Sequence, residues 1–443
     1  MGDSLRATIA DLNVDGRGLA FLGRKKAFIS QTLPGEEVVF EIDRKTRSEM
    51  AGRVKRFIHK STQRIEHDCM HEFHCTGCPL LASEPSFESD FKANKIRSIL
   101  EDVGIAMQSV NFELRRPSKL FGYRHYAKQV FGLVSGRVVL GSYVAGTHEL
   151  ADNEHCPVLT HDLQCLLSDL LQEVRRRKLR VHWQTGNGIR FAVARQSRDN
   201  GEILLVLSTS DEKQIHEIGE ISRLLLENNS VLKSILVLHN DSLGNSLLTG
   251  DELLRFGNLE LSDSLLGFDF KIGPRSFFQI NPSAAEVLFE TALDYAGEGK
   301  RCLELFAGVG ALTFGLGARF EQVRAVELVA EAIASLNRRK THLGMSGISA
   351  FCGDATSLGA ELLERFIPEV CVADPPRKGL GRKLTKSIGE SSVKRLVLLS
   401  CEPQSLRRDL PDLLQAGFNA SSVCAVDQFP RTAHVETVIL LER

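Results

Sequence analysis

LELFAGVGA, residues 303–311, is an apolar run that leads directly into a glycine-rich turn. Glycines let a chain turn tightly and let a ligand approach the backbone at the start of a helix. A G-x-G pair alone is weak evidence, because the full dinucleotide-binding motif is absent. The context strengthens it, since strand-like and helix-like segments alternate from about residue 266 onward. This alternation predicts a doubly wound α/β domain with a mainly parallel sheet.

Five apolar runs supply the strands of this predicted sheet, with helical stretches between most of them. The strands are expected at residues 302–306, 323–327, 348–352, 370–373 and 396–399. Before the first of these strands, Asn281 and Pro282 supply an N-cap and a first-turn proline for a helix that begins there. We therefore place a Rossmann-like domain at residues 266–443.

Acidic residues stand at the ends of three of these strands. Glu327 ends the second strand, at the spacing where a carboxylate takes ribose hydroxyls. Asp354 follows the third strand, where a side chain can meet an adenine amino group, and Asp374 ends the fourth. Carboxylates repel phosphates, so the pattern favours a nucleoside cofactor with little phosphate. S-adenosylmethionine fits this pattern, and NAD fits it less well.

Two further domains are predicted before residue 266. Residues 1–58 contain five short strand-like runs, at 6–12, 18–22, 27–32, 37–42 and 52–58. Five short strands in that length fit a small β-barrel of the oligonucleotide-binding type. Its basic stretches, RKK at 24–26 and RKTR at 44–47, are expected to form loop clusters that favour RNA contact. Residues 59–265 predict a central α+β domain, with helices near 160–178 and 213–227.

The central domain carries a cysteine cluster. Cys69, Cys75 and Cys78 are spaced C-x5-C-x2-C, and Cys156 follows in HCP at 155–157. Four thiolates can hold a [4Fe–4S] cluster or a zinc ion. Zinc sites more often come as two C-x2-C pairs, whereas this spacing has one pair and two single cysteines. The sequence therefore favours a [4Fe–4S] cluster.

Composition limits the class of protein. Hydrophobic residues make up 43% and charged residues 25% of the 443 residues, as in ordinary globular proteins, and the net charge is -1. A nucleic-acid surface must then be a local patch. The N-terminus shows no apolar signal core, and no apolar stretch is long enough to span a bilayer. We expect a cytoplasmic monomer, with neither DNA nor a membrane as partner.

Cys401 lies in SCEP at 400–403, where an apolar run gives way to a loop. A thiol at the end of a strand serves chemistry more often than packing. DPPRKGL at 374–380 and HVET at 434–437 add the carboxylates of Asp374 and Glu436. A thiol nucleophile paired with a general base is how enzymes attack an electron-poor ring carbon.

These motifs, together with SFFQINP at 276–282, resemble in kind and order those of the RNA uracil-C5 methyltransferases. The N-terminal barrel resembles the TRAM domain of that family, and the four cysteines resemble its iron–sulfur site. The resemblance therefore covers nearly the whole chain. A TRAM domain together with a cluster is most similar to the branch that methylates uracil 1939 of 23S rRNA. The tRNA branch usually lacks both features, and the uracil-747 branch usually lacks the TRAM domain.

The resemblance implies roles for individual residues. Cys401 is expected to be the nucleophile and Glu436 the base that removes the C5 proton. S-adenosylmethionine is the implied cofactor, bordered by Gln279, Phe306, Gly308, Ala311, Glu327, Asp354 and Asp374. The implied substrate is RNA, with 23S rRNA favoured. Because the target base must leave its stack to reach the thiol, a single-stranded or melted loop is expected.

Two residues depart from the family pattern. Glu402 follows the nucleophile where asparagine is common, which bears on positioning and target choice. Ala311 stands where an asparagine often contacts the cofactor. Two other functions stay open: a tRNA 5-methyluridine methyltransferase, and an iron–sulfur RNA-binding protein with an inactive methyltransferase fold. The intact Cys401, Glu436 and Asp374 argue against the inactive form.

Overall fold

The computed structural model of the protein describes residues 4–145, 147, 149–182, 186–242 and 247–443. Within these ranges the strands form three large sheets and one separate hairpin. The two sheets nearer the N-terminus have six and seven strands, and the C-terminal sheet has eight.

The N-terminal sheet has strand order β1-β5-β6-β4-β3-β2. Its strands are β1 (Ser4–Thr8), β2 (Asp11–Leu12), β3 (Gly18–Leu22), β4 (Lys25–Ser30), β5 (Glu37–Lys45) and β6 (Glu49–His59). β1 also contacts β3, so the sheet bends back around a core that includes Ile9, Ile29 and Phe40.

Two details of this sheet differ from the prediction. The run 6–12 was expected to be one strand, but it is interrupted at Ile9 and Ala10. Ile9 N–H donates to Glu36 O and Ala10 N–H donates to Leu19 O, so the chain changes partner strands there. The RKK stretch was expected in a loop, but Lys25 and Lys26 lie in β4 because they pair with β3.

A helix and a strand from the predicted central domain join the C-terminal sheet. They are α1 (Pro85–Asp102) and β7 (Asn111–Arg115). β7 pairs in parallel with a strand near the C-terminus, and Ile96, Ile99 and Leu100 of α1 share a core with the C-terminal strands. Residues 85–115 therefore pack with the C-terminal sheet and not with the middle sheet.

The middle sheet has strand order β10-β9-β8-β11-β12-β13-β14. Its strands are β8 (Tyr126–Val134), β9 (Arg137–Tyr143), β10 (Leu150–Asp152), β11 (Ile189–Gln196), β12 (Ile203–Thr209), β13 (Leu232–His239) and β14 (Asp251–Phe256). The two predicted helices are confirmed as α2 (His161–Arg176) and α3 (Ile215–Asn228). The buried leucines of α2 and the buried isoleucines of α3 pack against this sheet in one core.

A hairpin and a helix lead into the C-terminal sheet. β15 (Leu261–Leu265) and β16 (Phe268–Ile272) pair with each other, so the expected boundary at 265/266 falls in the turn of this hairpin. α4 (Pro282–Ala296) follows, and the Asn281 side chain accepts a hydrogen bond from Ala284 N–H at 3.3 Å. The predicted cap and first-turn proline are confirmed.

The C-terminal sheet has strand order β19-β18-β17-β20-β21-β23-β22-β7. Its remaining elements are β17 (Gly299–Leu305), α5 (Ala311–Gly317), β18 (Phe320–Glu327), α6 (Ala330–His342), β19 (Ile348–Cys352), α7 (Leu358–Phe366), β20 (Val370–Ala373), α8 (Arg382–Glu390), β21 (Arg395–Ser400), α9 (Leu406–Gln415), β22 (Asn419–Val426) and β23 (Glu436–Glu442). The pairings are parallel except those of β23 with β21 and β22. The mainly parallel, doubly wound sheet is confirmed.

The five predicted strands correspond to β17–β21. The strands β7, β22 and β23 were not predicted as parts of this sheet. Parallel strands end at one edge, and here that edge carries the residues after β17, β18, β19, β20 and β21. Ligands of such sheets bind outside the carboxyl ends of the strands. In the described parts of the chain, no helix has the length and apolar character needed to cross a membrane.

Candidate active site

Cys401 and Glu436 are brought together by the pairing of β21 with β23. Ser400 is opposite Thr437 in this antiparallel ladder, so the next pair along the two strands is Cys401 and Glu436. Asp374 follows Ala373, which is the partner of Leu398 in the neighbouring parallel pair. The register of three adjacent strands thus places one thiol and two carboxyl groups at the same edge.

The thiol of Cys401 is partly buried, and its surroundings oppose ionisation. Burial, with smaller contributions from the charges of Glu436 and Asp374, raises the pKa of Cys401 to about 11, while Arg377 acts in the opposite direction. A thiolate next to carboxylates is unfavourable because like charges repel in a poorly solvated site. The reactive form of Cys401 must therefore be produced when a neighbouring carboxyl group can take the proton.

Glu436 is a buried carboxyl group with an unusual proton affinity. Burial, with a smaller contribution from Asp374, raises its pKa to about 8, while Arg377 acts in the opposite direction. Burial also raises the pKa of Asp374 to about 6. Carboxyl groups with pKa values near neutrality can both accept and return protons at physiological pH, which is the property required of a general base.

Gln279 is attached to the segment that leads into β23. Its side-chain oxygen accepts a hydrogen bond from Gln428 Nε2 at 3.1 Å, and Asn281 Nδ2 donates to Gln428 O at 2.9 Å. The exposed Phe277 lies two positions before Gln279. The SFFQINP motif therefore lies beside the segment that joins β22 to β23, although it is far from that segment in sequence.

The glycine-rich turn after β17 has the backbone that the sequence predicted. Phe306, Gly308 and Gly310 have φ values of 66°, 57° and 92°, all left-handed. A Cβ on Gly310 would lie 2.9 Å from Leu336 Cγ, whereas nothing lies within 4 Å of the corresponding position on Gly308. Gly310 is thus required for packing, and Gly308 faces open space into which a ligand can fit.

Glu327 holds this turn. Its carboxylate accepts hydrogen bonds from Gly308 N–H at 2.9 Å and from Val329 N–H at 2.8 Å. The apolar side chains of Leu328 and Val329 beside it are exposed. A carboxylate next to exposed apolar side chains and an open glycine turn fits the ribose and adenine of a nucleoside cofactor.

The two other predicted cofactor residues have different positions. Ala311 is the first residue of α5 and follows the turn directly. Asp354 is exposed and accepts hydrogen bonds from Thr356 N–H at 2.9 Å and Ser357 N–H at 3.1 Å. Hydrogen bonding from the backbone of Ser357 lowers the pKa of Asp354, so it is ionised at neutral pH. Both residues lie at the same sheet edge as Glu327.

Sequence reasoning missed two residues of this site. Arg377 belongs to the DPPRKGL motif, and it is the positive group that lowers the pKa of both Cys401 and Glu436. Glu304 is buried in β17, and burial raises its pKa to about 8, with Asp374 and Glu327 acting in the same direction. The available signal for Glu304 was an acidic residue inside an apolar strand, which is rarely accidental.

The four predicted metal-ligating cysteines lie near one another. The pKa of Cys78 is raised by burial and then by Cys156, Cys75 and Cys69, which are close enough to act on its charge. Gln31 Nε2 donates to Cys75 O at 3.4 Å and Cys78 O at 3.3 Å, which attaches this loop to the N-terminal sheet. Among the residues described here, no three His, Cys, Asp or Glu side chains form a group that could hold a metal ion.

Three comparisons place this geometry among known proteins. A family model described as tRNA (uracil-5-)-methyltransferase matches residues 355–443. An uncharacterised RNA methyltransferase of Listeria monocytogenes is 30% identical over 449 residues, which cover 99% of this chain and 97% of that protein. One of Clostridium acetobutylicum is 29% identical over 443 residues, covering 98% and 96%.

A solved structure agrees with the fold along the whole chain. It is the Pyrococcus abyssi tRNA (uracil-54, C5)-methyltransferase in complex with S-adenosyl-L-homocysteine. The TM-score is 0.76 at 22% identity, and the match covers 99% of this chain and 100% of that one. The arrangement of all three sheets is therefore similar to that of a solved protein.

Proposed function

The chain belongs to the RNA uracil-C5 methyltransferase family, and from this premise we propose that it methylates C5 of a uridine in 23S rRNA through a covalent Cys401 adduct. It is an enzyme that uses S-adenosylmethionine as methyl donor. The observation that carries the proposal is the pairing of Ser400 with Thr437, which sets the thiol of Cys401 opposite the carboxyl group of Glu436.

The chemistry explains why a thiol and an acid are both needed. C5 of uracil is a poor nucleophile. The Cys401 thiolate forms a bond to C6, and the electrons of the C5=C6 bond move toward O4 to give an enolate. S-adenosylmethionine, when bound, would supply the electrophilic methyl group to C5 and would leave as S-adenosylhomocysteine. Before it adds to C6, the Cys401 thiol gives its proton to Asp374, which is close enough to influence its charge and whose pKa of about 6 leaves it ionised at neutral pH.

Glu436 completes the reaction. C5 carries both a proton and the new methyl group after transfer, and the carboxylate of Glu436 removes that proton. The electrons of the C5–H bond reform the C5=C6 bond and expel the Cys401 thiolate. The high pKa of Glu436 makes its carboxylate a stronger base than an exposed one. Arg377 favours the charged forms of both groups and so limits the cost of ionisation.

We assign the cofactor to the open space beside the glycine-rich turn. Glu327 accepts the ribose hydroxyls in this proposal, while Phe306 and Gly308 line the turn. Asp354 and Gln279 border the adenine end and the methyl end, and Asp374 lies between the cofactor and the uracil. Ala311 contributes through its backbone, since its methyl group offers no hydrogen bond. These are proposed roles, supported by the position of the other residues at one sheet edge, after β17–β20, and by the hydrogen bond between Gln279 and Gln428.

We also propose that Cys69, Cys75, Cys78 and Cys156 hold a [4Fe–4S] cluster, which would require the four thiols to close into a ligand group that the described residues do not form. The four thiols influence one another's charge, and two of them follow the C-x2-C spacing of a ligand loop. Such a group would cross-link the loop to the Cys156 segment, with no part in methyl transfer. Protein purified without oxygen should contain iron and sulfide in near-equal amounts. Stoichiometric zinc without iron would contradict this assignment.

The N-terminal sheet and the cysteine loop offer a surface suited to RNA. The rings of Phe57 and Phe73 are 6.4 Å apart, Lys60 lies 5.7 Å from the Phe57 ring, and Phe21 is 59% exposed. Exposed aromatic rings beside cations stack on unpaired bases and bind the phosphate backbone. We propose that residues 1–58 act as a TRAM domain, followed by a central domain at 59–265, of which residues 85–115 pack on the C-terminal sheet, and the methyltransferase domain at 266–443. In this proposal the enzyme works as a cytoplasmic monomer.

A tRNA substrate is the second candidate. The fold match to a tRNA (uracil-54, C5)-methyltransferase covers nearly the whole chain, so the set of domains does not by itself distinguish rRNA from tRNA. The deciding experiment offers the purified protein equal amounts of unmodified 23S rRNA and tRNA transcripts with methyl-labelled cofactor. Label in 5-methyluridine of 23S rRNA is the expected result, and label confined to tRNA would move the proposal to the second candidate.

A further inference from the structure

Residues 427–435, here called the connector, join β22 to β23. The connector is not a strand itself, and it ends directly before Glu436. Its backbone carbonyls are bound by donors from elsewhere in the chain. The donors are Asn281 Nδ2 to Gln428 O at 2.9 Å, Lys92 Nζ to Phe429 O at 3.1 Å, Tyr123 Oη to Pro430 O at 3.0 Å, Leu80 N–H to Arg431 O at 3.1 Å and Lys95 Nζ to Ala433 O at 2.9 Å. The position of the connector is thus set by other parts of the molecule.

Two of these donors link the connector to the cysteines, one within the Cys78 segment and one beside the Cys156 segment. Leu80 lies two residues after Cys78. Tyr123 lies in a stretch that runs beside the Cys156 segment, because Gly122 N–H donates to Pro157 O and Arg124 N–H donates to Val158 O, both at 2.9 Å. The Cys78 segment therefore touches the connector directly, and the Cys156 segment is linked to it through the stretch that contains Tyr123.

Arg431 is the centre of these contacts. It is among the largest fully buried side chains of the described residues, and its backbone is left-handed, with φ at 69°. Its Nη1 donates to Ser83 O at 2.8 Å, and its N–H donates to Glu88 Oε1 at 2.7 Å. Burying a guanidinium and holding its backbone in the left-handed region both cost free energy, which the surrounding contacts must offset. These hydrogen bonds therefore hold the connector firmly in position.

A buried group of ions anchors the other side of Arg431. Lys92 Nζ donates to Glu88 Oε1 at 2.8 Å and to Asp427 Oδ1 at 2.6 Å, and Arg116 Nη2 donates to Glu88 Oε2 at 2.6 Å. These residues join α1 to the first residue of the connector. Breaking one partner of such a group leaves an uncompensated buried charge, so the group tolerates little movement.

We propose that Arg431 and Tyr123 are positioning residues for Glu436, which they hold in place by fixing the connector to the segment after Cys78 and to the stretch that pairs with the Cys156 segment. The proposal rests on the function given above, in which Glu436 removes the C5 proton. Glu436 acts only after methyl transfer. Loosening the connector therefore slows release of the methylated RNA more than it slows the transfer itself. Disturbance of the cysteine loop reaches catalysis by the same route.

Single-turnover kinetics with methyl-labelled cofactor separate the two steps. The rate of label incorporation reports methyl transfer, and the decay of the covalent protein–RNA band on a denaturing gel reports release. Tyr123→Phe removes one hydroxyl and keeps the ring, and it should slow release about tenfold while transfer changes less than about twofold. Arg431→Met should slow release about 100-fold, and Arg431→Lys should recover part of that loss.

Arg176→Met is the matched control, because Arg176 is exposed on α2 and pairs only with Glu173 in the described contacts. It should match the wild type in both steps. Equal slowing of both steps in Tyr123→Phe, or none in either, would overturn the inference even if Arg431→Met fails to fold. A wild-type protein that forms no covalent band would instead overturn the proposed function.

Discussion

Cys401 and Cys78 are two thiols whose pKa is raised by burial, but their neighbours differ. Cys401 faces the carboxyl groups of Glu436 and Asp374 and the guanidinium of Arg377. Cys78 faces three other thiols, those of Cys156, Cys75 and Cys69, while Arg124 lowers its pKa. The same loss of water thus acts on one thiol among acids and on another among thiols.

The difference in neighbours fits the two proposed roles, a nucleophile for Cys401 and a metal ligand for Cys78. A thiol among carboxyl groups can lose its proton to one of them and recover it after the reaction, because only one charge changes place. Four neighbouring thiols cannot all ionise unless a positively charged group offsets their repulsion. We infer that Cys401 ionises transiently and that the four cysteines ionise together when they bind metal.

Replacing each thiol in turn is the strongest way to break this comparison. Cys401→Ala should abolish both the RNA adduct and methyl transfer, by about 10⁴-fold or more, because no other group adds to C6. Cys78→Ala should lower the melting temperature and still form the adduct. Methyl transfer assays and denaturing gels with both variants provide the measurement. Cys165→Ala, at an exposed cysteine of α2, is the control and should match the wild type.

Removal of the base should divide the reaction. Glu436→Gln keeps the nucleophile and removes the group that takes the C5 proton, so turnover should fall by about 10²- to 10⁴-fold. RNA should then accumulate on Cys401 already carrying the labelled methyl group, visible as a slow band on a denaturing gel. Normal turnover in this variant would place the base at another residue.

The same variant should be more stable than the wild type at high pH. The pKa of Glu436 is raised in the folded protein to about 8 from 4.5, so the wild type loses stability as pH rises through this interval. Glu436→Gln has no such loss and should gain up to about 5 kcal/mol at pH 9, with the smallest gain at pH 5. Urea denaturation at pH 5, 7 and 9 provides the measurement. A gain independent of pH would show that burial does not raise this pKa.

The cofactor pocket should give the smallest effect. Glu327→Ala removes the proposed ribose ligand and the acceptor for Gly308 N–H, so affinity for S-adenosylmethionine should fall about tenfold. RNA affinity should stay unchanged. Glu331→Ala, at an exposed glutamate of α6, is the matched control for calorimetry. Equal cofactor affinity in Glu327→Ala and wild type would contradict the placement of the ribose.

The sequence predicted the parts of the fold that follow local rules. β17–β21 and the turn at Gly308 were found because apolar runs, glycines and acidic residues repeat at strand spacing. β7, β22 and β23 escaped, since β7 lies about 300 residues from its partner β22 and no local pattern reports such pairing. The opposition of Cys401 and Glu436 depends on another non-local pairing, that of β21 with β23.

The ionic group around Glu88 and Arg431 also lay beyond sequence reasoning. Its charges come from α1 and the connector and read in sequence as ordinary surface residues, because only burial makes them exceptional. Arg377 was visible in a quoted motif, but its effect on Cys401 follows from the folded position of the strand ends.

The covalent role of Cys401 is the central claim, and 5-fluorouridine tests it most directly. Fluorine cannot leave C5 as a proton does, so 23S rRNA containing this base should trap the wild-type enzyme after methyl transfer. Mass spectrometry of the digested complex should find the methylated nucleotide on the peptide that contains Cys401. A nucleotide on another cysteine, or no trapped complex while unsubstituted RNA is methylated, would contradict the account.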